Sequence, residues 1–232
     1  MPLSFDKIPA GLHSLVKTAA VSLEKHRIAG RRACVYLVLD RSGSMRRYYR
    51  DGSIQHLAEQ ALGLSANLDD DGVVPLVFFD TTAHPPTDLS IDNYTGSIGR
   101  LHDELGHMGT TNYADAMDAV IDHYLASEAQ DPAFVIFQTD GSPDSRSAAQ
   151  RVLCKAAALP MFWQFVGFGN DSFKFLRKLD DLPVPRMRVV DNAGFFPAGK
   201  NPRSMDDATL YDQLMNEFPQ WLDAARAAGI LR

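Results

Sequence analysis

Two periodicities alternate along the chain. Leu12, Leu15, Val16, Ala19, Ala20 and Leu23 recur at helical spacing and predict a helix over 12–26, packed on the main body of the fold. Residues 33–39 then read ACVYLVL, apolar without interruption, and stop at Asp40. A strand that is apolar at every position is covered on both faces, as in a parallel sheet between helical layers. Similar runs stand at 73–79 and at 133–139, the latter ending at Asp140, and a fourth at 161–166. Helical spacing fills the gaps. Ile54, Leu57, Ala58, Ala61, Leu62, Ser65 and Leu68 mark a helix closed by Asp69-Asp70-Asp71-Gly72. Tyr113, Ala116, Met117, Val120, Ile121 and Tyr124 mark one over 112–126, and 145–158 reads as another with Asp144 as its N-cap.

The remaining signals are shorter. Pro85-Pro86 leaves room for only a short edge strand after residue 79. Gly167-Phe168-Gly169 turns the chain out of the fourth strand, followed by a helix over 171–179 and a short strand over 186–190. Ser204 with Asp207 resembles a capping box, and Pro219 must kink or divide the helical stretch between 205 and 228. Phe162, Trp163, Phe165 and Phe168 are assigned to the core, Phe168 being the candidate exception among them.

Strands alternating with helices imply βαβ units. The expected class is α/β: a Rossmann-like, doubly wound, mostly parallel central sheet with helices on both faces and a short edge strand. Residues 1–30 form an N-terminal segment with an amphipathic helix, and 31–232 form the α/β domain. At 232 residues, such a chain buries enough surface to fold without disulfides or a structural metal. Lys plus Arg is 23 against 29 Asp plus Glu, a formal charge of −6, which argues against a protein that coats nucleic acid. The opening residues lack the apolar stretch of a signal peptide, and no run is long enough to span a membrane. Cys34 and Cys154 lie in separate apolar segments and read as reduced, buried thiols of a cytoplasmic protein.

In this architecture ligands bind beyond the carboxyl ends of the strands. Asp40, Ser42 and Ser44 stand at alternate positions directly after a buried strand, Asp140 ends another, and Gly109-Thr110-Thr111-Asn112 precedes a helix. Carboxylates and hydroxyls are hard oxygen donors that suit Mg²⁺, Mn²⁺ or Ca²⁺. Few carboxylates among several neutral hydroxyls leave a cation electron-poor, so the set reads as a receptor for an acidic ligand from outside. Other candidates carry less. Asp69-Asp70-Asp71-Gly72 lacks the further ligands of an EF-hand and reads as a solvated turn, His102 and His107 lack a third zinc ligand, and Gly167-Phe168-Gly169 lacks the third glycine of a dinucleotide loop. Arg46, Arg47 and Arg50 form a basic cluster after the serine loop, either a solvated rim or a device that steers an acidic partner.

Asp40-Arg41-Ser42-Gly43-Ser44 resembles the D-x-S-x-S signature of von Willebrand factor A (vWA) domains, and Gly109-Thr110-Thr111-Asn112-Tyr113 and Thr139-Asp140-Gly141 resemble their two later loops, in the same order. The stretches VYLVLDRSGSM, GHMGTTNYADAM, FQTDGSP, FWQFVGFG and EFPQWLDAARAAGIL are similar to the TerF-type A domains of bacterial tellurium-resistance (Ter) proteins, here as a stand-alone module without the TerD-like domain of longer members. The resemblance implies a metal-ion-dependent adhesion site (MIDAS) with Asp40, Ser42, Ser44, Thr111 and Asp140 around one divalent cation, Mg²⁺ before Ca²⁺ or Mn²⁺. Thr111 fits better than Thr110, because a polar and then an apolar residue follow it into the helix. The implied role is non-enzymatic: a protein-interaction module of a tellurium-resistance or stress-response system, with no nucleic acid or membrane involved. Its partner, other Ter proteins among the candidates, would offer an Asp or Glu carboxylate to the metal. The alternative is a Mg²⁺-dependent phosphoester hydrolase, for which the sequence offers no evident nucleophile or general base.

Overall fold

The structure, a computed structural model, describes residues 3–184 and 186–231. Among them, six strands form one sheet: β1 (Cys34–Asp40), β2 (Val73–Phe79), β3 (Thr87–Ser90), β4 (Ala133–Thr139), β5 (Met161–Phe168) and β6 (Ala193–Gly199). Their order is β3-β2-β1-β4-β5-β6, all parallel except β3, which runs antiparallel along the β2 edge. The direction of chain winding reverses between β1 and β4, the switch point of a doubly wound sheet. That places the ends of these two strands, at Asp40 and Thr139, side by side.

Alternate residues of the strands feed two cores. Val35, Leu37 and Leu39 point to one face, where α1 (His13–Lys25), α3 (Ser53–Leu68), α8 (Asp207–Leu214) and α9 (Phe218–Ala227) pack. Tyr36 and Val38 point to the other, covered by α5 (Tyr113–Ala126), α6 (Arg146–Ala156) and α7 (Lys174–Asp180). Two further helices, α2 (Arg46–Arg50) and α4 (Ser97–Glu104), lie in the loops after β1 and β3. The amphipathic α1 buries Leu15, Val16, Ala19 and Leu23 in the first core. It crosses α3 at Gly63, where a β-carbon would stand 2.8 Å from Leu15 Cβ and 2.6 Å from the Tyr211 hydroxyl.

Several expectations are corrected. β6 is Ala193–Gly199 and the segment 186–190 is a loop. The cause is Arg188, whose buried guanidinium turns inward to Leu182 O (3.1 Å), Asn192 Oδ1 (3.3 Å) and Asp180 O (2.5 Å) and closes the end of α7. The N-cap of α6 is Ser145, which accepts from Ala148 N, and that of α8 is Asp206, which accepts from Thr209 N; Ser204 ends a 3₁₀ turn instead. Pro219 does divide the C-terminal stretch, lying in the first turn of α9. Phe168 is 1% exposed and lies in the core with Phe162, Trp163 and Phe165, as assigned. Cys34 and Cys154 are half-buried rather than buried, and burial pushes the Cys34 thiol up to about 12. Asp69 and Asp70 are more than a solvated turn, since both pair with Arg32, as does Asp131. No helix among the described residues is long and apolar enough to cross a membrane.

Two tests follow from this packing. Gly63→Ala gains helix propensity of about 1 kcal/mol, yet overpacking against Leu15 and Tyr211 outweighs it, and urea denaturation should show a net loss of about 1–3 kcal/mol. Asp180 is pushed up to about 7 by burial, then by Glu217, Asp191 and Asp181. A raised carboxylate favours the folded state while protonated, so this group lowers stability as pH rises from its unfolded value of about 4 through 7. Asp180→Asn should therefore unfold at higher denaturant than the parent at pH 8, with the two converging near pH 4.

Candidate metal centre

Asp40 closes β1 with no exposed surface, because β2 and β4 flank the strand. Its carboxylate has two neutral donors: Ser42 N reaches Oδ1 at 2.7 Å and Thr139 Oγ1 reaches Oδ2 at 2.6 Å. Burial pushes Asp40 up to about 7; these hydrogen bonds oppose the shift and the nearby Asp140 adds to it. Above it, Ser42 Oγ and Ser44 Oγ lie 3.2 Å apart, and Ser44 Oγ donates to Asp140 Oδ1 at 2.8 Å. Asp140 is half-buried and likewise raised, chiefly by burial. Four of the five expected residues thus form one connected oxygen cluster.

The fifth comes from the loop before α5. Gly109 sits between two other loops: Gly43 N donates to its carbonyl at 3.2 Å, and a β-carbon there would meet Thr81 N at 2.9 Å. Only glycine allows this approach. Beyond it, Thr110 Oγ1 donates to Asp144 Oδ2 at 2.5 Å, Thr111 N donates to the same oxygen at 3.1 Å, and Asp144 N donates to Thr111 O at 2.9 Å. Asp144, expected as a helix cap, is therefore the clasp between the threonine and aspartate loops. The Thr110 hydroxyl is committed to that clasp. The Thr111 hydroxyl makes no hydrogen bond among the described residues.

Sequence reasoning missed the supports beneath. Arg41, the variable position of the serine loop, is fully buried. Its Nη1 donates to Asp80 Oδ2 at 2.6 Å, its Nη2 to Gly106 O at 2.7 Å, and its Nε to His102 Nδ1 at 3.2 Å. Asp80 O in turn accepts from Asn112 N at 2.8 Å, so one guanidinium joins the loops after β1 and β2 to the loop carrying the threonines. His102 stacks on Tyr49, ring centroids 4.0 Å apart, and the Tyr49 hydroxyl donates to Asp40 O at 2.9 Å. Burial and then Arg41 hold His102 below the usual imidazole range, consistent with an acceptor role. The available signal was Phe79-Asp80, a third aspartate at the end of an apolar run.

The donor set fits a hard divalent cation: two carboxylates and three hydroxyls, with no sulfur or imidazole. Among the described residues no group of three or more His, Cys, Asp or Glu is placed to hold a metal.

Strand order and the meeting of three loops beyond β1 and β4 are those of a vWA domain. Residues 32–231 match the vWA-TerF-like family, the vWA found in the TerF C terminus, and the chain belongs to that family. It is 34% identical over 220 residues to the uncharacterized protein YcbR of Bacillus subtilis (strain 168), covering 93% of this chain and 88% of the relative. Among solved structures it is similar to manganese-loaded TRAP protein of Plasmodium vivax (19% identity, TM-score 0.53, 79% of this chain and 74% of that one). It is also similar to proximal thread matrix protein 1 of the mussel byssus with a zinc-occupied MIDAS motif (13% identity, TM-score 0.51, 84% and 48%).

The buried Arg41–Asp80 pair gives a test of the support. Arg41→Met strands Asp80 without its partner and should destabilise the protein by about 3–5 kcal/mol. Adding Asp80→Asn should restore part of that loss in guanidinium denaturation.

Proposed function

We propose that the chain is a non-enzymatic docking module whose cation-holding site accepts a carboxylate from a partner protein. One observation carries this reading: Ser42, Ser44 and Asp140 form a connected oxygen cluster over the buried carboxylate of Asp40, with the unengaged hydroxyl of Thr111 supplied by the neighbouring loop. Asp40, Ser42, Ser44, Thr111 and Asp140 would hold the ion, and Mg²⁺ matches the hard-oxygen donors best, with Ca²⁺ and Mn²⁺ as alternatives. When bound, the cation supplies the electrophilic centre to which an outside carboxylate coordinates. The protein residues orient it. Thr139 and Ser42 N fix the Asp40 carboxylate, Asp144 clasps the threonine loop, and Arg41 holds that loop from below. Manganese and zinc in the two similar structures support a divalent ion.

The partner in this reading is a Ter-type component of a bacterial tellurium-resistance or stress-response system in the cytoplasm; the family name suggests the system, and the location is proposed. The expected result is Mg²⁺ binding by isothermal calorimetry that is lost in Asp40→Ala and Asp140→Ala, with the Asp40→Ala chain still folded by circular dichroism. Partner capture should fall at least tenfold with EDTA. Capture unchanged by chelator and by Asp40→Ala would reject the reading.

A further inference from the structure

Beside the candidate centre lies a pocket of about 300 Å³. Ser44 and Asp140 line it from the centre, Tyr48 and Phe168 contribute aromatic wall, and Arg47 and Lys200 bring two cations. Arg47 is exposed, yet its position is set twice. Its guanidinium lies 4.4 Å over the Tyr48 ring and donates to the Lys200 carbonyl. Tyr48 is held in turn by an edge contact with Phe168, centroids 5.3 Å apart. Lys200 follows β6, whose end is pinned by the hydrogen bond from Gly169 N to Gly199 O at 2.8 Å. Arg203 ties the same loop to the end of α2 through Asp51 O at 3.1 Å.

Two loops far apart in sequence therefore deliver Arg47 and Lys200 to one pocket, on a chain of formal charge −6. Among the described residues neither side chain forms an ion pair. Two basic residues share this pocket with one carboxylate, Asp140, which is among the residues proposed to hold the cation; the guanidinium of Arg47, held in place and in no ion pair among the described residues, is complementary to a further anion.

We propose that Arg47 and Lys200 form a second subsite that reads a second carboxylate, so that the docking segment is a peptide carrying two acidic side chains. This rests on the metal-dependent docking reading above. The first carboxylate goes to the centre and the second to the guanidinium. The subsite separates an acidic run from a lone aspartate or glutamate, and an isolated surface cation outside the pocket contributes little to that selection.

The test uses two capped peptides: one aspartate among glycines, and the same peptide with glutamate two positions on. Each is titrated into the ¹⁵N-labelled full chain with saturating Mg²⁺, and again with EDTA. The diacid should bind about tenfold more tightly, through charge-assisted contacts in the pocket. That gap should close to within twofold in Arg47→Gln/Lys200→Gln and persist in Arg46→Gln, an exposed arginine that does not line the pocket. Circular dichroism and Mg²⁺ calorimetry check that the double variant is folded and loads metal. Equal affinities on the parent chain, a gap that survives the double variant, or one that closes equally in Arg46→Gln would overturn the subsite while metal-dependent binding of both peptides still stood. Binding of neither peptide, or binding indifferent to EDTA, would overturn the docking reading and the subsite with it.

Discussion

Asp40 carries a carboxylate at the closed end of a strand with neighbours on both sides, and the chain commits its nearest donors to it. Ser42 N and the Thr139 hydroxyl take one oxygen each, and the Tyr49 hydroxyl takes the backbone carbonyl. All three are neutral. Hydrogen bonds from neutral groups fix the position of a buried carboxylate without cancelling its charge, so burial dominates and the group is pushed up to about 7. A cation above Asp40 is what would offset that charge. The serine hydroxyls, Asp140 and the threonine loop gather where such an ion would sit.

Adjacent residues handle buried charge in opposite ways. Arg41 is as deeply buried as Asp40, but its guanidinium has Asp80 at 2.6 Å and carbonyl acceptors besides. That charge is closed by the protein itself, and the resulting knot serves position. It holds the third loop where Gly109 meets the serine loop, with Gly43 N donating to Gly109 O. Asp40 is left without such a partner. Removing one partner of a buried pair such as Arg41–Asp80 would leave an uncompensated charge, whereas burial of Asp40 is eased by the rise of its carboxyl to about 7.

Much of this was legible in the sequence because the strongest signals are geometric. Uninterrupted apolar runs require strands covered on both faces, which makes the sheet parallel and puts the ends of β1 and β4 together. Three motifs at such ends were enough to gather Asp40, Ser42, Ser44, Asp140 and the Thr110-Thr111 pair as candidates, and the family resemblance then singled out Thr111. What stayed hidden depends on side chains that reach across sequence. Arg188 turns a strand-like segment into a loop by capping the end of a helix it follows. Asp144 looks like a cap and instead clasps two loops, because Thr110 and Thr111 N compete successfully for its oxygens. Arg41 occupies a position that the motif leaves free. Local periodicity carries no information about such long-range polar contacts, whereas capping rules placed the nearest helix start only to within a residue or two.

The same polar contacts bear on the choice between docking and catalysis. Hydrolysis at a metal centre needs a nucleophile activated by a base, or a water so activated. The Ser42 and Ser44 hydroxyls are hydrogen-bonded to each other and to Asp140, not to an imidazole. The two histidines that the surrounding loops bring near are taken up elsewhere: His102 accepts from Arg41 and stacks on Tyr49, and His84 lies 3.2 Å from Asp80. Both serve the knot beneath the site. The exposed residues beside the centre that line the neighbouring pocket, Arg47 and Lys200, carry a guanidinium and an amine. A rim of that kind is complementary to an anionic group.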